Sequence, residues 1–576
     1  MEALLFLPSS HLLPTSSSLP ITILSSPFLP HRRLLRLRTR LSSSSSGSRI
    51  RISHLSATSS SSTTATTTTT ETAAIPFDDA DEGKFDWYSQ WYPVAPVADL
   101  DKRAPHAKTV MGLDLVVWWD RAAGKWQVFD DRCPHRLAPL SEGRIDPRGR
   151  LQCVYHGWCF DGNGSCKYIP QAPAIGPPVH TSNKACAAVY PSIEQNKVVW
   201  FWPSTDPQYK DIIERKRPPF IPELDDPSYT CTMGIRELPY GSPVQTFLPS
   251  YEVLIENLMD PAHVPYAHYG IMKVPRRVEP GRAEADREGG GPVDITIEES
   301  SKSGFLAKQN LKYFSFVAPC LFYGPGSNDK PIKPKDVITH LANWICHSLI
   351  FLNFDIYLLT QERPAEAHQK QRRFLLIFMC IPVSPGRSRL IYAFQRNFAV
   401  WVDRFVPRWI YHVGQNLILD SDLYLLHIEE RRIAKAGLPN WQKACYLPTK
   451  SDCMVIAIRN WLRKYSNYQV DWRNITSEYL PPTPPKEQLM DRYWSHVAQC
   501  SSCLAALKGL KVLKVSLQVL SLALIGVVAA AKHSFTSAIT RTAVVSAAVL
   551  CFVTSQWLSH FIKKNFYFHD YNHAFK

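Results

Sequence analysis

Cys133-Pro134-His135-Arg136 and, sixteen residues on, Cys153-Val154-Tyr155-His156-Gly157-Trp158 decide how this chain of 576 residues is read. They form two short pairs, C-x-H and C-x-x-H. Two thiolates suit one iron of a [2Fe–2S] cluster and two imidazoles the other. Exchanging two thiolates for neutral imidazoles makes such a cluster less anionic and raises its potential. Zinc is the rival, because Cys2His2 also makes a tetrahedral structural site. Zinc fingers usually place both cysteines before both histidines. Here each pair is mixed, so each of two loop tips offers one Cys and one His. Phe160-Asp161-Gly162-Asn163-Gly164 then reads as strand and tight turn.

Around this stretch, Phe85 to Pro203 reads as short strands and turns. Val116-Val117-Trp118-Trp119, Trp126-Gln127-Val128-Phe129 and Val198-Val199-Trp200-Phe201-Trp202 are β-rich runs. Residues 206–480 mix strands such as Phe374-Leu375-Leu376-Ile377-Phe378 with a few helices. Among them lies YEVLIENLMDPAHVPYAHYGI, residues 251–271. Asn257, Asp260 and His263 are spaced i, i+3, i+6 and share one helical face. Pro265 ends or kinks that helix, and His268 comes from beyond the break. Two histidines with a distant carboxylate and open positions form the facial triad of non-haem Fe(II) sites. Histidines five apart are common in cores and on surfaces; the cluster motif upstream is what singles out this pair.

The whole pattern, from residue 85 to about 435, resembles the Rieske non-haem iron oxygenases. The resemblance implies an α+β chain: an antiparallel β Rieske domain at 85–205 and a helix-grip (START-like) catalytic domain at 206–480. It implies that Cys133, His135, Cys153 and His156 hold a [2Fe–2S] cluster, and that His263 and His268 hold a mononuclear Fe(II). The third iron ligand falls in Leu417-Ile418-Leu419-Asp420-Ser421-Asp422-Leu423, with Asp422 the choice and Asp420 the alternative. Asn257 is expected to support the iron's surroundings. Asp260 is expected to bridge a Rieske histidine and an iron-ligating histidine of neighbouring subunits in a homotrimer. Ferredoxin would supply electrons, and O2 one oxygen atom for the substrate. Rieske proteins of cytochrome complexes instead tie the cluster loops with a disulfide; here its positions are Ala138 and Tyr155.

CPHRLAPLSEGR at 133–144, YHGWCFDGNGSC at 155–166 and IPQA at 169–172 resemble the plant chloroplast group within that family. The group comprises pheophorbide a oxygenases, chlorophyllide a oxygenases and Rieske components of the import translocon. ENLMDPAHVPYAHYGIM at 256–272 looks most like the protochlorophyllide-dependent translocon components. The implied substrate is a chlorophyll-type tetrapyrrole. Protochlorophyllide a, with a ring methyl taken to formyl, comes first, and ring opening of pheophorbide a is the alternative. A non-enzymatic, redox-sensing role among import-translocon subunits stays open.

Residues 1–70 are rich in Ser, Thr, Leu and Arg, with Glu2 the only acid, and read as a disordered plastid transit peptide. The formal charge of +15 is partly theirs: seven Arg lie within residues 1–60. Elsewhere no dense Lys/Arg run is interleaved with aromatics, which argues against nucleic acid. Fourteen cysteines without a framework spacing exclude a disulfide scaffold. A Pro-rich linker, residues 481–511, carries Cys500-Ser501-Ser502-Cys503. Zinc would need a second pair nearby in sequence, and none exists, so the C-x-x-C reads as a redox dithiol that thioredoxin reduces. Val515–Ala531 and Thr542–Ile562, within 512–562, read as a transmembrane helical hairpin, followed by the tail 563–576. A hairpin buried against the soluble domain is the alternative. Import logic places the soluble part in the stroma, on the inner envelope or thylakoid membrane.

Overall fold

β-rich apolar runs such as Leu113–Asp120 and Lys125–Asp130, buried over most of their length, form short antiparallel strands. The computed structural model describes residues 83–238, 251–272, 290–310, 312–325, 372–473, 483–531 and 537–573. The leader-like residues 1–70 lie outside them. Strands His106–Val110, Leu113–Asp120, Lys125–Asp130 and Val189–Tyr190 form one sheet of the Rieske domain. A separate small sheet, Arg144–Ile145, Leu151–Gln152, Cys159–Phe160 and Cys166–Tyr168, carries the second cluster loop. Trp118, Phe129, Leu140, Leu151 and Phe160 pack with Cys133 and Cys153 in a core of their own.

Seven described strands then make one antiparallel sheet. From edge to edge they are Thr230–Leu238, Arg387–Arg396, Phe374–Ser384, Leu321–Pro325, Lys312–Val317, Gly304–Gln309 and Ile295–Ser301. Against it lie helices Tyr251–Met259, Cys453–Ser466 and the 29-residue helix Arg408–Ala436, which ends where Gly437 takes φ +86°. Met111 and Gly112 donate backbone N–H groups to the carbonyls of Pro382 and Val383 (both 2.8 Å), joining the Rieske domain to this sheet.

The long helix is polar in sequence yet buried. His412, Asn416 and Asp420, at i, i+4 and i+8, form a stripe facing the edge strand Thr230–Leu238. Arg236 of that strand donates to Asn416 Oδ1 (2.9 Å) and to Asp420 Oδ1 (2.7 Å). Arg492 donates to Asp420 Oδ2 (2.5 Å), and the carboxylate has no exposed surface. The open side of the strand uses alternate residues: Met233 and Ile235 offer carbonyls, and Glu237 donates its N–H to Ser495 O (2.8 Å). An edge strand that would otherwise template pairing is thus covered by side chains and loop.

Two apolar helices follow, Ser501–Ala530 and Ala538–Ile562. The first begins at Ser501 rather than beyond 511, so the C-x-x-C pair is its N-terminus and not part of a linker. Its 30 residues make it about 45 Å long. Val512, Val519, Leu522, Ile525, Leu550 and Phe552 are exposed, and Ser521 Oγ donates to Ala548 O across the pair (2.8 Å). The apolar exterior fits membrane association rather than a hairpin buried on the soluble part.

Asp420→Ala would leave two buried guanidinium groups without their anion. A stability loss of about 3–5 kcal/mol is expected, read as a lowered unfolding midpoint. A midpoint equal to wild type would show that Asp420 does not hold the helix.

Candidate active site

Each cluster loop repeats one backbone pattern. Cys133 donates its N–H to Ala138 O (2.9 Å) and accepts from Leu137 N–H (2.8 Å). Cys153 donates to Trp158 O (2.9 Å) and accepts from Gly157 N–H (3.0 Å). The residue four past each cysteine has positive φ, Leu137 at +58° and Gly157 at +76°. At the second loop glycine adopts this freely, and a side chain there would also meet Pro170 at 2.9 Å. The loops bury both sulfurs and bring the His135 and His156 rings to 4.5 Å at the tip, with His135 stacked on Trp158 (4.6 Å). Burial pushes the Cys133 thiol up to about 12, a penalty that a bound cation removes. Two inner sulfurs and two outer imidazoles fit the donor order of a [2Fe–2S] cluster with mixed ligation.

The second centre forms where the helix from Tyr251 breaks. The break comes earlier than Pro265: the helix stops at Met259, because Pro261 has no N–H to continue it and disfavours helical geometry at Asp260. His263 caps a new short helix, Val264–Ala267, in which Pro265 is an initiating residue. Asp260 therefore sits in the corner. Its Oδ1 accepts from Ala262 N–H (2.7 Å), while Oδ2 stands 3.5 Å from His263 Nδ1. Asn257 is half-buried one turn earlier, and its carbonyl accepts the Asp260 N–H (3.1 Å).

Asp422 Oδ2 lies 3.7 Å from His263 Nε2 and 3.5 Å from His268 Nε2, so two ring nitrogens converge on one carboxylate oxygen. Asp420, two residues earlier and about 200° round the helix, faces Arg236 and Arg492 instead. Ser421 had no signal in the sequence. Its Oγ donates to Ile418 O (2.6 Å) and so accepts from His268 Nδ1 (2.7 Å). That fixes the His268 proton on Nδ1 and leaves the Nε2 lone pair facing inward. Tyr571, from the tail after the apolar hairpin, donates to the carbonyls of Tyr269 (3.3 Å) and Ala267 (3.5 Å), flanking His268.

The electrostatics favour a cation. Burial opposes a charged ring at His263, yet hydrogen bonding and charge from Asp260 and Asp422 outweigh it and hold its pKa up to about 10. At His268 burial wins over the attraction of Asp422, and the pKa falls to about 4. The buried His263 Nδ1 faces the Asp260 carboxylate at 3.5 Å, which turns Nε2 toward Asp422. Two imidazoles and one carboxylate on one side of an ion fit a non-haem iron with open positions.

The C-x-x-C pair is placed differently from its sequence reading. Cys500 and Cys503 are buried, and they meet His412 and His496, which lie far away or outside any recognisable spacing.

Paired iron–sulfur loops and a two-histidine, one-carboxylate centre on a seven-stranded sheet define an α+β Rieske non-haem iron oxygenase. Residues 90–189 match the Rieske [2Fe-2S] domain family and residues 316–440 the pheophorbide a oxygenase family. The chain is 52% identical to protochlorophyllide-dependent translocon component 52 of Arabidopsis thaliana, over 85% of this chain and 86% of that protein. It is 53% identical to flavonoid 8-hydroxylase 2 of Ocimum basilicum, over 86% and 87%. Pheophorbide a oxygenase of Oryza sativa subsp. japonica is 34% identical, over 86% of each. The chain belongs to this chloroplast group of Rieske oxygenases, whose cofactors are a [2Fe–2S] cluster and a mononuclear iron.

Ser421→Ala frees the His268 ring to change tautomer. Iron affinity is expected to fall about 10–100-fold, measured by metal analysis after dialysis against a chelator, with the Rieske EPR signal unchanged. Undiminished iron retention would remove Ser421 from the site.

Proposed function

We propose that this protein inserts one oxygen atom of O2 into a planar conjugated substrate, first of all protochlorophyllide a, on a chloroplast membrane facing the stroma. The observation that carries the reading is the convergence of His263, His268 and Asp422 in a chain with its own Rieske loops. The iron they would hold supplies O2 activation, fed by electrons from the cluster held by Cys133, His135, Cys153 and His156. For a ring methyl, O2, two electrons and two protons give a hydroxymethyl group and water. A second round gives a gem-diol, which loses water to leave a formyl group. Ferredoxin is the proposed donor, and association with import-translocon subunits is the accompanying proposal.

The chain's own residues set the electron path and the metal's orientation. His135 is exposed, and Leu137, Val154 and Tyr155 beside it are 50–70% exposed, an apolar collar suited to a protein face. The Asp260 side chain is 28% exposed and has one oxygen uncommitted to backbone. A homotrimer in which a neighbour's Rieske histidine docks on Asp260 uses both features. Ser421 and Asp260 orient the two iron-facing imidazoles from behind. The C-terminal Tyr571 steadies the loop between them.

A second reading, hydroxylation of a flavonoid, is favoured by the flavonoid 8-hydroxylase relative, which is as similar as the translocon component. Pheophorbide a ring opening is third in order, with the 34% relative.

Purified protein with reduced ferredoxin is expected to consume O2 only when protochlorophyllide a is added, and the product should carry label from 18O2. His263→Ala should abolish product. Turnover of a flavonoid but not of protochlorophyllide a would overturn the tetrapyrrole assignment. No uptake with any of these compounds would favour a non-enzymatic translocon role. Asp260→Asn should keep both metal centres and lower turnover about 10–100-fold; an unchanged rate would exclude it from the electron path.

A further inference from the structure

Cys500, Cys503, His412 and His496 bring one ligand atom each to a buried point, all within 4.8 Å of one another. His496 Nε2 lies 3.2 Å from Cys503 Sγ, and His412 Nδ1 lies 3.4 Å from both sulfurs. The far nitrogen of each ring faces a backbone carbonyl of the same edge strand. His412 donates Nε2–H to Met233 O (3.1 Å), and His496 donates Nδ1–H to Ile235 O (2.6 Å). A carbonyl accepts only, so each ring's single neutral-state proton is placed, and each remaining lone pair faces the sulfurs. This is the arrangement by which ligating histidines are oriented from behind.

We infer that these four side chains hold a structural zinc ion that fastens the apolar hairpin to the catalytic helix and the edge of the seven-stranded sheet. The donor set is S2N2, closed on all four sides by protein, which suits zinc rather than an ion that reacts. With Zn–S of about 2.3 Å and Zn–N of about 2.0–2.1 Å, tetrahedral N and S ligands stand about 3.6 Å apart, close to the separations here. Two thiolates and two neutral imidazoles cancel the charge of Zn2+, so the filled site is neutral and can be buried. Arg408 Nη2 approaches Cys500 Sγ at 3.6 Å, a donor suited to a thiolate. Cys500 caps helix Ser501–Ala530 and Cys503 is in its first turn, so both sulfurs leave the same helix end. Asp99 supports that end, accepting Ser501 N–H (3.0 Å) while paired with Arg408.

The inference does not depend on the oxygenase reading, because none of the four residues touches the iron ligands. It competes with the redox dithiol, since a Cys500–Cys503 disulfide and a bound zinc exclude each other. Both sulfurs are buried, which withholds them from thioredoxin.

The test is metal analysis and zinc X-ray absorption on the full chain, expressed with zinc and iron and purified in detergent. About one zinc per chain is expected in addition to the irons, with a first shell of two sulfurs and two nitrogens at the distances above. Cys500→Ser/Cys503→Ser should lose the zinc and keep the Rieske EPR signal. If that variant does not fold, the wild-type absorption spectrum still decides. Absence of zinc, an oxygen-dominated shell, iron at these ligands, zinc retained in the double variant, or a native Cys500–Cys503 disulfide would each overturn the assignment.

Discussion

A carboxylate with no exposed surface, gripped by two arginines, sets the rotation of the central helix. Burying Asp420 is tolerable only because Arg236 and Arg492 engage both of its oxygens. The grip comes from two segments far apart in sequence, the edge strand and the loop before the hairpin, which themselves pair through Glu237 and Ser495. Turning the helix by one residue would carry Asp420 through about 100° and leave three charges unpaired. With that rotation held, Asp422 must face away from the arginines, toward His263 and His268. The carboxylate that faces the two histidines is therefore positioned by a neighbour that does not touch them.

The same contacts tie the apolar hairpin to the catalytic part. Arg492 donates to Lys564 O (2.9 Å) and its N–H to Tyr567 O (2.8 Å), just past the second apolar helix. Four residues further on, Tyr571 reaches the loop that carries His268. The hairpin thus leaves from the Cys500 end of the long helix and returns beside His268. His412 and Asp422 lie on that one helix, ten residues or about 15 Å apart. Hydrogen bonds from Arg492 and Tyr571 thus join the end of the hairpin to the helix of Asp422 and the loop of His268.

How much was legible in the sequence follows from how local each feature is. Cys133, His135, Cys153 and His156 sit on two adjacent loops, so their spacing alone announces the cluster. His263 and His268 share one short segment and were legible once the cluster was recognised, although Pro261 rather than Pro265 breaks the helix between Asn257 and His263. Asp420 and Asp422 looked alike in sequence. The choice between them needed Arg236 and Arg492, which come from strands and loops far along the chain. The site at Cys500 was illegible for the same reason: His412 lies 88 residues away, and the two carbonyls that orient its histidines carry no residue signature. The long helix was also hard to read as buried, because its inward faces carry His412, Asn416, Asp420 and Asp422 where a core helix would carry Leu or Val.

The three metal environments differ in the property that sorts metals. The cluster loops offer two sulfurs inside and two imidazoles outside, so charge and softness are graded across a dinuclear group. The centre at His263 offers two nitrogens and a hard oxygen on one side only, which suits a ferrous ion with positions open for O2. The set at Cys500 offers two soft and two intermediate donors from all sides, which leaves no position to react. Zinc at the His263 centre would forgo thiolate bonds, and an ion held at the closed site would have no position for O2. Donor choice, rather than affinity alone, lets one chain keep a redox metal beside a silent one.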